Sequence, residues 1–558
     1  MARKKSPSKK GAPAPLDREP RQAEKRGWVN TGLSSRGLIS LLLLLAGIIW
    51  TGYYSVHATG ILGSDDREYA SIARNIADGK GVVRNLVCPI DLQFFERLPI
   101  PEFIHPPGYP VIIAGFFKLF GISDGAALLP SCLSYLILIL LFFFFAKRHL
   151  EIRTAVLATL GLIFNREILG VSLVVLSEEV YTLAFFVFFV VMVEAKSLRE
   201  IFIGGLLLGA SHLIRENIYP FLLPLVAYLY FYPDIPRWKK MLLFAAGVMI
   251  PIVPNLLRSF WVTGSPLFSY GKFTLMAFTE KYPWVNVYRE MQVPPLSQFL
   301  LEEGNQFLTK YFSNLGTALK GIFFVTNPFV FAFFLVDMFF WRIDPFWKKV
   351  KTLFLLLFIS QILFVSLFTF THRYFFPLVP LMILFAVQGF FTVADGVLGR
   401  FHMGGNKRAL TVLGSIFLIV LMVPALSILF RINTSSSPDS KDAPFGFLIG
   451  REEAGRLNSF LKANLKDDQI VWTDLHEVLE WEGNRFCGWL PRKIEDLDQI
   501  QKKIPVDALL LTDLRIPLMG SEWNKLLIPA QRLPHYRHVK FFIGKTLTAK
   551  LLIREGKE

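Results

Sequence analysis

The hydrophobic pattern of this chain consists of long, nearly uninterrupted apolar segments separated by short polar stretches. Three of the clearest segments cover 37–53, 126–146 and 353–370. A helix needs about 20 apolar residues to cross a bilayer, and in lipid only a helix or a closed barrel satisfies every backbone polar group internally. The pattern therefore predicts a polytopic α-helical membrane protein.

Further segments of the same kind predict about 11 to 13 spans in total. The shorter apolar stretch 109–121 is expected to be an interfacial or re-entrant helix, because it is too short to cross a bilayer easily. Asn165, Arg166 and Glu167 interrupt another segment, which is therefore either one span or two short helices. The predicted spans cover approximately 38–56, 126–146, 154–172, 178–195, 200–217, 218–232, 241–262, 318–341, 351–371, 374–397 and 409–431.

The formal net charge of +16 could indicate a nucleic-acid partner, but the basic residues form no single patch. They lie in short clusters between the predicted spans, and Lys and Arg in such loops favour the cytoplasmic side of a membrane. When the N-terminus is placed in the cytoplasm, all of these clusters lie in the cytoplasm as well. Membrane orientation therefore accounts for the basic residues, and we expect no nucleic-acid partner. The clusters are 147–148, 196–199, 237–240, 341–351 and 400–408.

The composition also divides the chain into three parts. Residues 1–36 are rich in Lys, Arg and Pro and are expected to form a disordered cytoplasmic tail, and 37–433 form the transmembrane domain. Residues 434–558 begin with a Ser-rich stretch and then alternate helix and strand patterns, which predicts a small α/β domain on the outer side. The remaining boundaries are two outer loops at 57–108 and 263–317, helices at 452–465 and 493–503, and strands at 469–475 and 507–514.

The chain has three cysteines, Cys88, Cys132 and Cys487. Cys88 and Cys487 both fall on the outer side in this topology, so they could either pair or remain free thiols. Their spacing contains no CxxC motif and does not support a cysteine-based metal site.

Several ionisable residues lie on the predicted outer side. A charge close to a membrane is energetically costly, so each of these residues is a candidate for a function. A carboxylate there can act as a general base, and Arg or His can hold a phosphate. Each residue also has a simpler interpretation, since arginines anchor helix ends and carboxylates stabilise helix N-termini. The group contains Asp65, Asp66, His105, Glu178, Glu179, Arg215, Arg258, His372 and Arg373.

The most specific stretch is Ser64–Ile76, which reads SDDREYASIARNI, followed by Gly79–Gly81. His105–Pro110, which reads HPPGYP, comes about thirty residues later, and Leu119-Phe120-Gly121 follows it. These motifs resemble the first outer loop of the protein O-mannosyltransferases and the lipid A aminoarabinose transferases, which belong to the C-type glycosyltransferase superfamily. The aminoarabinose transferases carry Lys where this chain has His105.

The resemblance implies a C-type glycosyltransferase fold and a role for each outer residue. Asp65 is the expected catalytic base, with Asp66 in the place of the family's Glu. Phosphate of the donor is expected to bind His105, Arg215, Arg258 and Arg373. Acceptor binding or a structural role is expected for Glu178, Glu179, Tyr69, Tyr109 and His372.

The resemblance also implies an inverting hexosyl or pentosyl transferase that takes its sugar from a polyprenyl-phosphate donor. The acceptor would be a glycan, lipid A or a protein on the periplasmic face of a bacterial inner membrane. We expect no cofactor and no obligatory metal. A transporter or flippase of lipid-linked sugars is the alternative, although such proteins tend to carry repeats and polar groups at the bilayer midplane. A catalytically inactive scaffold of the same fold is a third possibility.

Overall fold

The structure is a computed structural model of the 558-residue chain. It describes residues 35–57, 61, 63–231, 236–339, 344–369, 371–431, 449–528, 531, 533–545 and 547–555. The tail predicted at 1–36 lies almost entirely outside the described residues.

Helices make up most of the described chain. In the region predicted to cross the membrane they are α1 (Ser35–His57), α2 (Ser64–Ala77), α3 (Gly108–Phe120), α4 (Asp124–His149), α5 (Ile152–Ile163), α6 (Arg166–Val171), α7 (Ser177–Glu194), α8 (Leu198–Ile214), α9 (Tyr219–Phe231), α10 (Arg237–Thr263), α11 (Gly271–Thr274), α12 (Leu296–Thr326), α13 (Pro328–Phe339), α14 (Pro345–Val365), α15 (Val379–Arg400) and α16 (Lys407–Arg431). Short 3₁₀ helices cover Pro89–Gln93, Asn286–Arg289 and His372–Leu378.

The C-terminal region alternates helices and strands. Its helices are α17 (Arg451–Asn464), α18 (His476–Trp481), α19 (Asp496–Lys503), α20 (Ile516–Met519) and α21 (Ser521–Leu526). The strands of the described residues are β1 (Val83–Arg84), β2 (Leu86–Val87), β3 (Ile100–Pro101), β4 (Val471–Thr473), β5 (Cys487–Trp489), β6 (Ala508–Thr512), β7 (Tyr536–Ile543) and β8 (Thr548–Arg554).

The apolar helices agree with a multi-pass membrane protein. Within the described residues, four helical segments are long and apolar enough to cross a membrane on their own: Arg36–Ser55, Asp124–His149, Arg237–Thr263 and His372–Arg400. The bent pair α12 and α13 would make a fifth. Helices α3, α5 and α9 are apolar but shorter, so none of the three is long enough to cross a membrane without neighbouring helices.

The structure differs from one predicted span and selects one of the two alternatives left open for another. The span predicted at 318–341 is broken, because α12 and α13 meet at Asn327 with a bend of 103°. Pro328 follows the break, and the residue before a proline is disfavoured in helical geometry. Helix α12 also begins at Leu296, inside the segment expected to be an outer loop. The segment 154–172 forms two helices, α5 and α6, separated at Asn165, which caps α6 by accepting from the amide of Ile168.

The C-terminal region folds around a six-stranded sheet with the strand order β2-β5-β4-β6-β8-β7. Strands β2, β5, β4 and β6 run parallel, whereas β8 and β7 are antiparallel additions. The helices and strands predicted at 452–465, 469–475, 493–503 and 507–514 are present as α17, β4, α19 and β6. The sequence did not predict that β2 of the first outer loop would complete this sheet.

The pairing of β2 with β5 brings two of the cysteines into one region, because Cys487 begins β5 and Cys88 directly follows β2. Leu86 lies opposite Cys487 in the parallel register. Cys88 and Cys487 are both buried, and both are free thiols in the structure. The first outer loop and the C-terminal region therefore share one hydrophobic core, which also includes residues of the second outer loop such as Tyr270 and Phe299.

Arg289 fixes the second outer loop to the C-terminal region. It is completely buried, and its guanidinium donates to the carbonyl oxygens of Leu490, Pro491 and Met519 at 2.9, 2.9 and 3.1 Å. A fourth bond reaches the side chain of Asn286 at 3.0 Å. A planar guanidinium can serve several carbonyls at once, which an ammonium on a flexible stem cannot do in the same geometry.

We predict that Arg289→Lys lowers the free energy of unfolding by about 2–4 kcal/mol, because at least two buried carbonyls lose their donors. Thermal unfolding of the purified protein in detergent measures the change. The control is Arg456→Lys, which alters an exposed pair with Glu452 on α17 and should change stability by less than about 0.5 kcal/mol. Equal effects of the two substitutions would show that Arg289 is not a structural clamp.

Candidate active site

Helix α2 presents two carboxylates in its first turn, where the positive end of the helix dipole favours negative charge. Asp65 and Asp66 are adjacent in sequence, so their side chains leave the helix in different directions. The side chain of Asp65 is 42% exposed, whereas Asp66 is only 5% exposed. Asp65 is therefore the carboxylate that a substrate can reach.

Asp65 belongs to a chain of alternating charges that joins four elements. Nη1 of Arg373, in the 3₁₀ helix 372–378, lies 2.9 Å from Oδ2 of Asp65 and 3.5 Å from Oε1 of Glu178. Nη1 of Arg215, at the end of α8, lies 2.8 Å from the same oxygen of Glu178. Two guanidinium groups and two carboxylates thus neutralise one another beside the start of α7.

Hydroxyl groups connect this charge chain, formed by Asp65, Arg373, Glu178 and Arg215, to Tyr69, which lies one turn after Asp65 on α2. Nη1 of Arg215 donates to Oγ of Ser177 at 3.2 Å, and the hydroxyl of Tyr69 lies 3.3 Å from the same oxygen. The guanidinium of Arg215 also stacks on the ring of Tyr374, with its carbon 5.2 Å from the ring centroid. Arg215 is thereby held by three partners in one orientation.

His105 lies next to this group and is paired with Glu68 of α2. Its Nε2 is 2.9 Å from Oε2 of Glu68, and its ring packs on Tyr69 at a centroid distance of 4.6 Å. Burial opposes protonation of His105, but the hydrogen bond with Glu68 and the charge of Glu102 outweigh burial and raise its pKa to about 9. A raised pKa favours the protonated form of His105, and a cation attracts phosphate more strongly than a neutral donor does.

The two carboxylates around His105 and Asp65 have opposite pKa shifts. Burial would raise the pKa of Glu68, but its contacts with His105 and His476 outweigh burial and lower it well below the ordinary value. Burial, with the charges of Asp65 and Glu178, raises the pKa of Asp66 to about 7. At neutral pH Glu68 is ionised, whereas Asp66 is partly protonated.

Four of the predicted site residues lie apart from the charge chain. Arg258 donates to the carbonyl oxygens of Val82 and Glu102 at 3.0 and 2.7 Å and so fixes the first outer loop. The hydroxyl of Tyr109 pairs with Ser131 at 3.1 Å, and its ring meets Tyr69 edge-on. His372 lies near Glu167, and Glu179 is fully buried, with no hydrogen bond from its carboxylate oxygens to another described residue. These positions favour structural roles.

Sequence reasoning assigned no role to three residues near the site. Glu68 lies one helical turn after Asp65, so helical spacing could have identified it. Glu216 accepts a hydrogen bond from Ser269 at 3.2 Å and is close enough to interact with His105. His476 lies 3.6 Å from Glu68 but comes from the C-terminal region, and no local pattern indicates that contact.

Within the described ranges, no group of three or more His, Cys, Asp or Glu side chains is arranged to hold a metal ion. The expectation that the reaction needs no metal stays a prediction.

Comparison with known proteins supports the expected resemblance. Residues 104–257 match the family model described as dolichyl-phosphate-mannose-protein mannosyltransferase. This range contains His105, Glu178 and Arg215 and ends one residue before Arg258. No curated protein sequence matches the chain.

Three solved structures have the same fold over most of the chain. ArnT from Cupriavidus metallidurans bound to undecaprenyl phosphate matches with a TM-score of 0.57 and 13% identity over 93% of this chain and 98% of that one. ArnT in the apo state gives 0.55 and 14% over 92% and 98%. The oligosaccharyltransferase AglB from Archaeoglobus fulgidus, in complex with an inhibitory peptide and a dolichol-phosphate, gives 0.54 and 10% over 92% and 74%.

These matches confirm the resemblance and the fold class predicted from the sequence. The chain has the C-type glycosyltransferase fold, with several apolar helices and a C-terminal domain that contains strands. The predicted glycosyltransferase class is also borne out, and the transporter alternative finds no support in these matches.

We predict that Glu68→Gln changes the pH dependence of stability, because it removes the charge that raises the pKa of His105. A histidine with a raised pKa stabilises the fold fully below its ordinary value of 6.5, and that stability is lost as the pH rises through about 9. The unfolding temperature of the wild type should therefore decrease as the pH rises from 6.5 to 9. The unfolding temperature of Glu68→Gln should decrease less over the same range.

Thermal unfolding at a series of pH values measures this difference. The control is Glu495→Gln, whose exposed carboxylate pairs only with Lys493, and it should follow the wild type. Parallel curves for the wild type and Glu68→Gln would contradict the assignment.

Proposed function

We propose that this chain, which has the C-type glycosyltransferase fold, transfers a sugar from a polyprenyl-phosphate donor to an acceptor hydroxyl, with Asp65 as general base. The observation that carries the proposal is the charge chain Asp65–Arg373–Glu178–Arg215, which places an accessible carboxylate 2.9 Å from an arginine. The undecaprenyl phosphate bound to ArnT, a protein of the same fold, supports a lipid-phosphate donor.

The proposed reaction is a direct displacement. The acceptor oxygen attacks the anomeric carbon and forms the new glycosidic bond, while the bond from that carbon to the donor phosphate oxygen breaks. Asp65 takes the proton of the acceptor hydroxyl, and the configuration at the anomeric carbon inverts. The leaving polyprenyl phosphate carries one more negative charge than the donor did, because a phosphodiester has become a monoester.

The cations near Asp65 are suited to that extra charge. Arg373, Arg215 and His105 come from three different elements and lie around the carboxylate that would activate the acceptor. Their interaction with the phosphate strengthens as its charge grows, so they stabilise the transition state more than the bound donor. Asp65 and Glu178 keep the guanidinium groups in place before the donor binds.

The same proposal places the reaction on the outer face of a bacterial inner membrane, with the N-terminus in the cytoplasm. The basic clusters between the apolar helices support that orientation. The first outer loop, 57–108, is then the catalytic loop, and 434–558 is an extracytoplasmic domain. The acceptor is a glycan, lipid A or a protein, and the transferred sugar is a hexose or a pentose.

We predict that Asp65→Asn lowers transfer by about a hundredfold or more, because the amide cannot accept the proton. Membranes that contain each variant are given a radiolabelled polyprenyl-phosphate sugar, and label is counted in the glycan, lipid and protein fractions. The matched control is Asp78→Asn at the exposed end of the same helix, which should transfer like the wild type. Equal transfer by Asp65→Asn and the wild type would remove Asp65 as the base.

We also predict that two arginines of the outer face behave differently. Arg373→Ala should raise the KM for the donor about tenfold or more, because it removes a charged hydrogen bond to phosphate. Arg258→Ala should lower the unfolding temperature but leave the donor KM near the wild-type value, because Arg258 bonds to loop carbonyls. Donor titrations and thermal unfolding separate the two effects, and a raised donor KM in Arg258→Ala would place it at the phosphate instead.

A further inference from the structure

The C-terminal domain contacts the helix that carries Asp65. Helix α18 packs against α2, and residues of both domains exchange hydrogen bonds along this contact. Arg67 donates to the carbonyl of Ile449 at 3.1 Å, and Arg74 donates to the carbonyl of Trp481 at 2.9 Å. The guanidinium of Arg74 also lies 4.1 Å from the centroid of the Trp481 ring. One side of α2 thus faces the charge chain and the other faces α18.

Glu68 is the residue of α2 that connects these two sides. Its Oε2 pairs with Nε2 of His105 at 2.9 Å, and its Oε1 lies 3.6 Å from Nε2 of His476, the first residue of α18. The carboxylate is mostly buried, so each histidine has a defined position relative to it. The phosphate-binding candidate His105 and the C-terminal domain are therefore joined through one carboxylate.

His476 is itself fixed on the remaining sides. Its Nε2 lies 3.7 Å from Oε2 of Glu477, and its ring packs on Trp489 at a centroid distance of 4.9 Å. Glu477 is held in turn by Arg515, whose Nη2 lies 2.5 Å from Oε1. Nε2 of His476 therefore lies between carboxylate oxygens of Glu68 and Glu477.

The contact between His476 and Glu68 is not needed to hold the two domains together. Arg67 and Arg74 make the bonds described above, and the amide of Asn85 donates to Oε1 of Glu480 at 3.0 Å. Nε1 of Trp481 donates to Oδ1 of Asp124 at the start of α4, at 3.2 Å. A substitution at His476 therefore leaves the docking bonds in place.

We propose that His476 is a positioning residue for the donor phosphate, acting through Glu68 on His105. Oε2 of Glu68 faces His105, and Oε1 faces His476 and accepts from the hydroxyl of Ser64 at 3.4 Å, so Glu68 cannot turn without losing contacts. His476 from the C-terminal domain thereby fixes the orientation in which Glu68 holds the His105 ring. The inference rests on the proposed function, because it gives His105 the role of a phosphate ligand, and it makes the C-terminal domain a part of the donor site.

The test is a double-mutant cycle on lipid-phosphate binding, which needs no catalysis. Binding of undecaprenyl phosphate to the purified full-length protein is measured for the wild type, His476→Ala, His105→Gln and the double variant. If His476 acts through His105, His476→Ala weakens binding about tenfold in the wild type and has no further effect when His105 is already Gln. Rescue by His476→Gln, which keeps an N–H donor, is expected to restore most of the binding.

The matched control is His149→Gln, which disrupts a similar histidine contact with Glu194 at 2.7 Å at the far end of α4. It should bind like the wild type, and thermal unfolding of every variant verifies that it is folded. Additive effects of His476→Ala and His105→Gln would overturn the inference while leaving the proposed function intact. Failure of the wild type to bind any polyprenyl phosphate would overturn the proposed function and the inference with it.

Discussion

The ion pair between Asp65 and Arg373 joins two parts of the chain that are 308 residues apart. Asp65 is partly exposed and supplies the partner of opposite charge for the less exposed Arg373. The pair, with Glu178 and Arg215, therefore fixes how α2, α7, α8 and the 3₁₀ helix 372–378 meet. In the proposed reaction, the donor phosphate becomes a new partner of these guanidinium groups, which the carboxylates neutralise before it binds.

The other side of α2 is fixed by a different kind of contact. Here β2 extends the sheet of the C-terminal domain, and the shared core buries apolar residues from both outer loops. Arg289 adds three bonds to carbonyl oxygens of the C-terminal domain. The C-terminal domain is thus packed against both loops, and its removal would expose one edge of their shared core. The site depends on two interfaces, one formed by charges and the other mostly by apolar packing.

The sequence predicted those features that local patterns determine. Apolar length identified the helices, and alternation of elements identified most of the C-terminal domain, because both depend on neighbouring residues. Asp65, Arg373, Glu178 and Arg215 were all among the predicted outer residues, since each lies at a helix end beside an apolar segment. The sequence could not predict the contact of His476 with Glu68, the addition of β2 to the sheet or the different environment of Arg258. These features depend on pairing between segments that are far apart in the sequence. The spacing of residues within one segment does not reveal such pairing. The bend at Asn327 was missed because the apolar run continues through it, although Pro328 was a signal.

The parallel pairing of β2 with β5 determines the order in which parts of the protein can fold during synthesis. The backbone amide of Asn85 cannot form its hydrogen bond with Glu480 until Glu480 has been synthesised, 395 residues later. The first outer loop emerges early but cannot acquire its final neighbours until nearly the whole chain has left the ribosome. Contacts of such long separation form late in folding, because the intervening loop must first be closed. A chain that terminates prematurely would therefore have its membrane helices without the completed sheet around α2, so the arrangement confines the finished site to full-length molecules.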